Sequence, residues 1–145
     1  MTYEFDDFGC THIISDMCQS HDCRDVLLKL KELNPKFKVT LFAIPGEMTA
    51  ELTAWCQINR AWVEIAVHGF YHQSNYECSD LAYEDFDFFM HEFRDILKTC
   101  FIKGFRAPGW QISDDVYKWL LDNEYWVADQ DYNDERRPKN LPVYK

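Results

Sequence analysis

The chain has 145 residues, 47% hydrophobic and 17% aromatic, which fits one domain with an aromatic-heavy core and excludes a disordered chain. Lys and Arg total 15 against 25 Asp and Glu, a formal charge of -10. That balance excludes nucleic acid as an expected partner, because its binding draws on clustered cations that release counterions, and the one dense basic run, ERRPK at 135–139, is too short to reverse it.

The predicted elements alternate. A short β-prone run covers 2–5. DCRDVLLKLKEL at 22–33 reads as a helix with Val26, Leu27, Leu30 and Leu33 on one face, stopped by Asn34-Pro35. FKVTLFAI at 37–44 is the second strand, ended by Pro45-Gly46. Thr49 caps a helix to about residue 57 with Leu52, Trp55 and Cys56 inward, and WVEIAV at 62–67 is the third strand. Ser79 or Asp80 opens one long amphipathic helix to about residue 99, whose Phe86, Phe89, Met90, Phe93 and Leu97 form a core stripe. A fourth strand at 101–105, a helix capped by Ser113 and running to about residue 123, and a fifth strand at 125–128 complete the series. Strands alternating with helices predict an α/β fold with a parallel sheet, either open and doubly wound or a barrel.

No stretch is long and apolar enough to span a bilayer; 39–45 is among the longest. The N-terminal MTYEFDDFG carries no signal-like region, so a cytoplasmic location is expected, with no membrane partner. The six cysteines (Cys10, Cys18, Cys23, Cys56, Cys78, Cys100) are then expected as reduced thiols. Cys18, His21 and Cys23 lie close in sequence, but no CxxC pair completes a structural zinc site with them.

Polar residues fall at one place in the pattern. Asp6-Asp7 follow the first strand, His68 and His72 (HGFYH) the third, Arg106 the fourth and Asp129 the fifth. In parallel α/β folds, sites assemble where the strands' C-terminal ends converge. A carboxylate and two imidazoles there suit a divalent ion with open positions, and a neighbouring carboxylate suits a general base. Each piece also has a plainer reading. Adjacent acids are commonly solvated turn residues, histidines four apart are commonly surface or half-buried groups, and Arg-Ala-Pro-Gly alone is a turn. The aromatics Phe70, Tyr71, Tyr76 and Trp110 read equally as sugar platforms or as core.

Taken together and in this order, these segments resemble the polysaccharide deacetylase family, NodB-like and of the carbohydrate esterase family 4 type. Glu4-Phe5-Asp6-Asp7-Phe8-Gly9 resembles its Thr/Ser-Phe-Asp-Asp-Gly motif, with one residue inserted before the glycine. His68-Gly69-Phe70-Tyr71-His72 is similar to its His-Ser/Thr-x-x-His motif, with glycine for the hydroxyl residue. Arg106-Ala107-Pro108 matches its Arg-x-Pro, and Tyr125-Trp126-Val127-Ala128-Asp129 resembles its Asp-bearing segment. The resemblance implies a distorted (β/α)7-type deacetylase barrel, of which five strands are predicted here. It further implies that Asp7, His68 and His72 hold a divalent metal, most commonly Zn2+, with Co2+, Ni2+ or Mn2+ as alternatives. Asp6 would be the base, Arg106 would orient it, Asp129 would join the charge network, and Tyr71, Pro108 and Trp110 would line the substrate site. The implied activity is removal of N- or O-acetyl groups from a carbohydrate.

Two departures shape the remaining expectations. No Leu-x-His segment follows Asp129 to supply the family's acid histidine, and His12, His21 and His91 stand in no matching segment. Five strands also leave a barrel open along one edge, while NLPVYK at 140–145 reads as the approach to another strand. The chain is therefore expected to be C-terminally incomplete, or completed at that edge by a second copy or another partner. A non-catalytic metal- and carbohydrate-binding form of the same fold, and a rim of merely solvated loops, are the competing expectations.

Overall fold

The strand-and-helix alternation is what the chain adopts, in a computed structural model that describes residues 2–9, 23–128 and 143–144. In chain order the elements are β1 (Tyr3–Phe8), α1 (Arg24–Leu33), β2 (Val39–Ala43), α2 (Ala50–Ile58), β3 (Val63–Val67), α3 (Tyr83–Glu92), α4 (Arg94–Cys100), β4 (Phe101–Phe105), α5 (Asp114–Asp122), β5 (Trp126–Ala128) and β6 (Val143–Tyr144). Single 3-10 turns at Pro45–Glu47 and Pro108–Trp110 follow β2 and β4. The six strands form one parallel sheet in the order β1-β2-β3-β4-β5-β6, curled as part of a barrel wall. The sixth strand pairs Val127 with Val143 and Ala128 with Tyr144, extending the sheet beyond the five strands read from sequence.

Period-two alternation divides the sheet between two environments. On one face Val39, Leu41, Ala43, Val63 and Ile65 pack with Leu27 of α1 and with Leu52 and Cys56 of α2. Val67, Phe105 and Val127 continue that face against Phe86 and Met90 of α3, Leu97 of α4 and Val116 and Leu120 of α5. The other face carries a small apolar cluster of Phe42, Ala66 and Ala128, with Ile102 and Trp126 beside it. Gly104 belongs to that second face, and a Cβ there would lie 2.2 Å from the Trp126 ring, so the indole sits where a side chain would otherwise be. Among the described residues, all five helices thus cover one face, and the other is left to the concave side of the sheet.

Local signals explain most boundaries. Thr49 and Ser113 cap α2 and α5, their hydroxyls accepting the backbone N–H of Leu52 and Val116 at 3.1 Å each. The single helix expected from 79 or 80 to 99 is instead two. Ser79 is used in a turn, its N–H and hydroxyl both donating to the Tyr76 carbonyl, and the helix starts only after Ala82. At Phe93 the backbone leaves helical geometry (φ -92°, ψ 8°), ending α3 and starting α4. This break lets Phe89 and Phe93 both stack on Phe70, at centroid distances of 4.9 and 6.0 Å. In α1 the inward stripe is narrower than expected. Leu27 is buried and Leu30 packs beside it, whereas Val26 and Leu33 are 57% and 75% exposed. No described helix is long and apolar enough to cross a membrane.

Candidate metal centre

The acid pair sits inside β1 rather than after it, and a bulge explains how both carboxylates become usable. β1 pairs Phe5 with Leu41 and Phe8 with Ala43, so Asp6 and Asp7 together oppose the single residue Phe42. An extra residue in one strand breaks strict alternation and re-aims a side chain. Asp7 absorbs the distortion with φ 58°, a left-handed conformation that costs a residue with a Cβ about 1–2 kcal/mol. Asp6 keeps the concave face and Asp7 turns to the strand ends.

The loop after β3 supplies the imidazoles. The His68 backbone N–H still bonds the Ala43 carbonyl at the end of β2, so that ring is fixed at the sheet edge. Gly69 (φ 67°) and His72 (φ 49°) then reverse the chain, returning the second ring to the first with centroids 5.1 Å apart. His68 Nε2 and His72 Nε2 each lie 3.2 Å from Asp7 Oδ1. One donor atom from each of Asp7, His68 and His72 lies within 4.8 Å of the others, and both rings are buried. His68 Nδ1 is 2.8 Å from the Arg106 carbonyl, which can only accept, so Nδ1 donates to it and Nε2 is the ring nitrogen that faces the cluster.

The loop after β4 closes the other side. Arg106, 6% exposed, spreads its guanidinium between two carboxylates, Nη1 to Asp6 Oδ1 at 2.7 Å and Nη2 to Glu4. Its Cζ lies 4.0 Å from the centre of the Phe42 ring. Burial works against the Arg106 charge, but the hydrogen bonds and charges of Asp6 and Glu4 outweigh it and raise its pKa above the ordinary value. Pro108 is buried, its Cγ 2.7 Å from where a Cβ on Gly69 would be, which locks the β3 and β4 loops together.

The curled parallel sheet is shared with a solved structure. The chain matches the Xyl-CE4 domain of a multidomain xylanase from the hindgut metagenome of Trinervitermes trinervoides, with a TM-score of 0.62 at 17% identity over 88% of this chain. The chain has a carbohydrate esterase family 4 deacetylase-like fold. It spans 56% of that solved chain. No family model and no curated protein matches the sequence.

Within this family 4 fold, Asp6, Asp7, His68, His72 and Arg106 converge on one rim. Of the residues read as substrate-lining, Pro108 forms the wall behind Gly69, and Trp110 is 53% exposed just beyond it. Tyr71 turns toward α3, its ring edge-on to Phe89 and Phe93 and its hydroxyl 3.5 Å from Glu92 Oε1. Phe70 is fully buried in the core, and Tyr76 is exposed. Asp129, like Cys10, His12, Cys18 and His21, lies outside the described residues. Two residues of the site were given no role from the sequence. Glu4 shares the strand face of Asp6 two positions away, a relationship that period-two spacing could have exposed. Glu77 caps the histidine loop, accepting from the backbone N–H groups of Phe70, Tyr71 and His72.

Proposed function

We propose that this chain is a metal-dependent hydrolase that removes acetyl groups from an N- or O-acetylated carbohydrate. The observation that carries the reading is the convergence of Asp7, His68 and His72 beside an Asp6 held by Arg106. The donor set of two imidazoles and one carboxylate fits a divalent ion, Zn2+ first, with Co2+, Ni2+ or Mn2+ as alternatives. The Nδ1 proton of His68 is already committed to a carbonyl, the partner expected of a ligating imidazole. When bound, the ion would supply Lewis acidity toward an acetyl carbonyl and a water.

The chain's own groups divide the remaining work. Asp6 is the general base, taking a proton from the attacking water, and the Arg106 fork holds that carboxylate in place. Glu4 holds the second arm of the fork, so the guanidinium cannot swing away from Asp6 without abandoning another carboxylate. By the sequence resemblance alone, Asp129 would join the charge network. Trp110 and Pro108 border the rim where an acetylated sugar would lie, and Tyr71 supports the loop between the two histidines.

Zinc or cobalt loading followed by metal analysis tests this, with Asp7→Ala and His68→Ala as controls. Acetylated xylan and N-acetylated chitooligosaccharides are the first substrates for acetate release. Failure of the wild-type chain to take up stoichiometric metal would sink the proposal. One observation favours a second reading: among the described residues no further imidazole stands by the cluster, His91 being exposed on α3 opposite Asp87. A non-catalytic metal- and carbohydrate-binding domain would take up metal and bind glycan without releasing acetate. A second copy, or another partner pairing at the open sheet edge, is the proposed means of completing the barrel.

A further inference from the structure

The histidine loop is held by a carboxylate that does not belong to the metal cluster. Glu77 lies in the turn that follows HGFYH, half-buried, with its own N–H bonded to the Ser74 carbonyl. Its Oε2 accepts from the Phe70 N–H at 3.0 Å and the His72 N–H at 3.3 Å, and its Oε1 from the Tyr71 N–H at 2.9 Å. Three successive amides aimed at one carboxylate make an anion-binding concavity, and hydrogen bonds to an ionised acceptor are among the strong ones. The segment they fix includes His72, whose φ of 49° lies in the left-handed region, so its backbone needs an external hold.

The glycine of the motif is part of the same device. A Cβ on Gly69 would lie 2.2 Å from Glu77 Oε2 and 2.7 Å from Pro108 Cγ. The carboxylate therefore fills the space that a side chain at 69 would take, and the two positions are sterically coupled. The turn bearing Glu77 is anchored independently of the cluster. Cys78 is fully buried, its carbonyl accepts from the Ser113 N–H at 3.0 Å, and Asn75 O lies 2.1 Å from where a Cβ on Gly109 would be.

We infer that Glu77 is a positioning residue for the metal site, setting the place of the His72 ring through the backbone of 70–72 with Gly69 as its obligate steric partner. This rests on the metal-site reading above. Loss of such outer support costs about tenfold to a hundredfold in metal affinity.

The test uses the full chain and Co2+ alone, read by its visible absorption and by competition with a chromophoric chelator. Glu77→Ala is expected to bind Co2+ about tenfold to a hundredfold more weakly with an altered spectrum, and Glu77→Gln to fall between it and wild type. Gln keeps one acceptor but points a donor at an N–H. Ser79→Ala, which removes a neighbouring turn hydrogen bond, should lower the melting temperature without changing Co2+ affinity. Gly69→Ser should weaken binding in the wild-type background and do so by a smaller factor on top of Glu77→Ala. Unchanged affinity and spectrum in Glu77→Ala, or in Glu77→Gln should the alanine variant not fold, overturns the inference. Metal-free amide exchange separates the two failures. If wild type takes up no Co2+, the metal reading fails, and the inference about Glu77 is then decided by whether Phe70, Tyr71 and His72 lose protection in the variant or keep it.

Discussion

His68 Nδ1 lies 2.8 Å from the Arg106 backbone carbonyl, a contact that substitution of the Arg106 side chain leaves in place. Arg106 therefore serves the rim twice, orienting an imidazole with its backbone and Asp6 with its guanidinium. Substituting Arg106 separates the two duties. Arg106→Leu leaves Glu4 and Asp6 facing each other without a cation and should destabilise the fold by on the order of 3 kcal/mol. Adding Glu4→Gln should recover part of that loss in urea titrations. Zinc uptake should survive in Arg106→Lys, since the carbonyl remains, while acetate release falls sharply. Equal loss of zinc binding and turnover in Arg106→Lys would show that the carbonyl does not hold its place independently.

The cysteines behind the sheet give a pH dependence with a definite sign. Burial, with the neighbouring Cys100 adding to it, pushes the Cys56 thiol up from 9.0 to about 12, and burial pushes Cys100 up to about 11. A folded-state pKa above the unfolded one means the unfolded chain releases its protons first as pH rises. The stability from keeping these thiols neutral is complete below pH 9 and is lost as pH climbs toward 11 and 12. Urea midpoints should be flat up to pH 8 and fall above pH 9, and Cys56→Ala should flatten that alkaline limb. Mapping of alkylated residues at pH 8 should find Cys56, Cys78 and Cys100 protected until denaturant is added, because burial disfavours the reactive thiolate at all three.

The strand series and the clustering of Asp7, His68 and Arg106 were legible because strand ends in a parallel sheet are set by periodicity, and polar residues placed there have few other neighbours. What sequence periodicity did not carry was every feature made by loop geometry. The bulge that puts Asp6 and Asp7 opposite one residue depends on backbone register. The break at Phe93 goes with a ring stack on Phe70, a partner 23 positions earlier by sequence number. Glu77 reads as a solvated turn acid until its three amide partners are seen. Tyr71 and Phe70 alternate in the motif, and only the packing of α3 shows that Phe70 fills the core while Tyr71 covers it.

Phe70 ties the rim to the core. It is fully buried, with Phe86, Phe89 and Phe93 around it at centroid distances of 5.2, 4.9 and 6.0 Å. Removing the ring should cost about 3–5 kcal/mol as Phe70→Ala, from lost transfer energy and the cavity left behind. Phe70→Leu should cost less. Zinc affinity should drop in both variants in proportion to the stability lost, because the backbone that carries Phe70 also places His68 and His72. Urea denaturation and zinc titration on the same preparations check this, and a folded Phe70→Ala with wild-type zinc affinity would uncouple the core from the rim.

Asp7 is where function is set against stability. Its φ of 58° carries the left-handed penalty of about 1–2 kcal/mol, which glycine avoids and alanine does not. Asp7→Gly and Asp7→Ala both remove the carboxylate, so their difference isolates the backbone. The glycine variant should be the more stable of the two by about 1 kcal/mol, the reverse of the usual order between glycine and alanine. Neither should retain stoichiometric zinc. Thermal melts of the metal-free proteins, with zinc added in a second series, read both effects. Zinc should raise the melting temperature of wild type and leave both variants unmoved, because only a chain that binds the ion gains stability from it. An alanine variant as stable as the glycine one would mean that the bulge can relax out of the left-handed conformation, and that the strain at Asp7 is not fixed by the sheet.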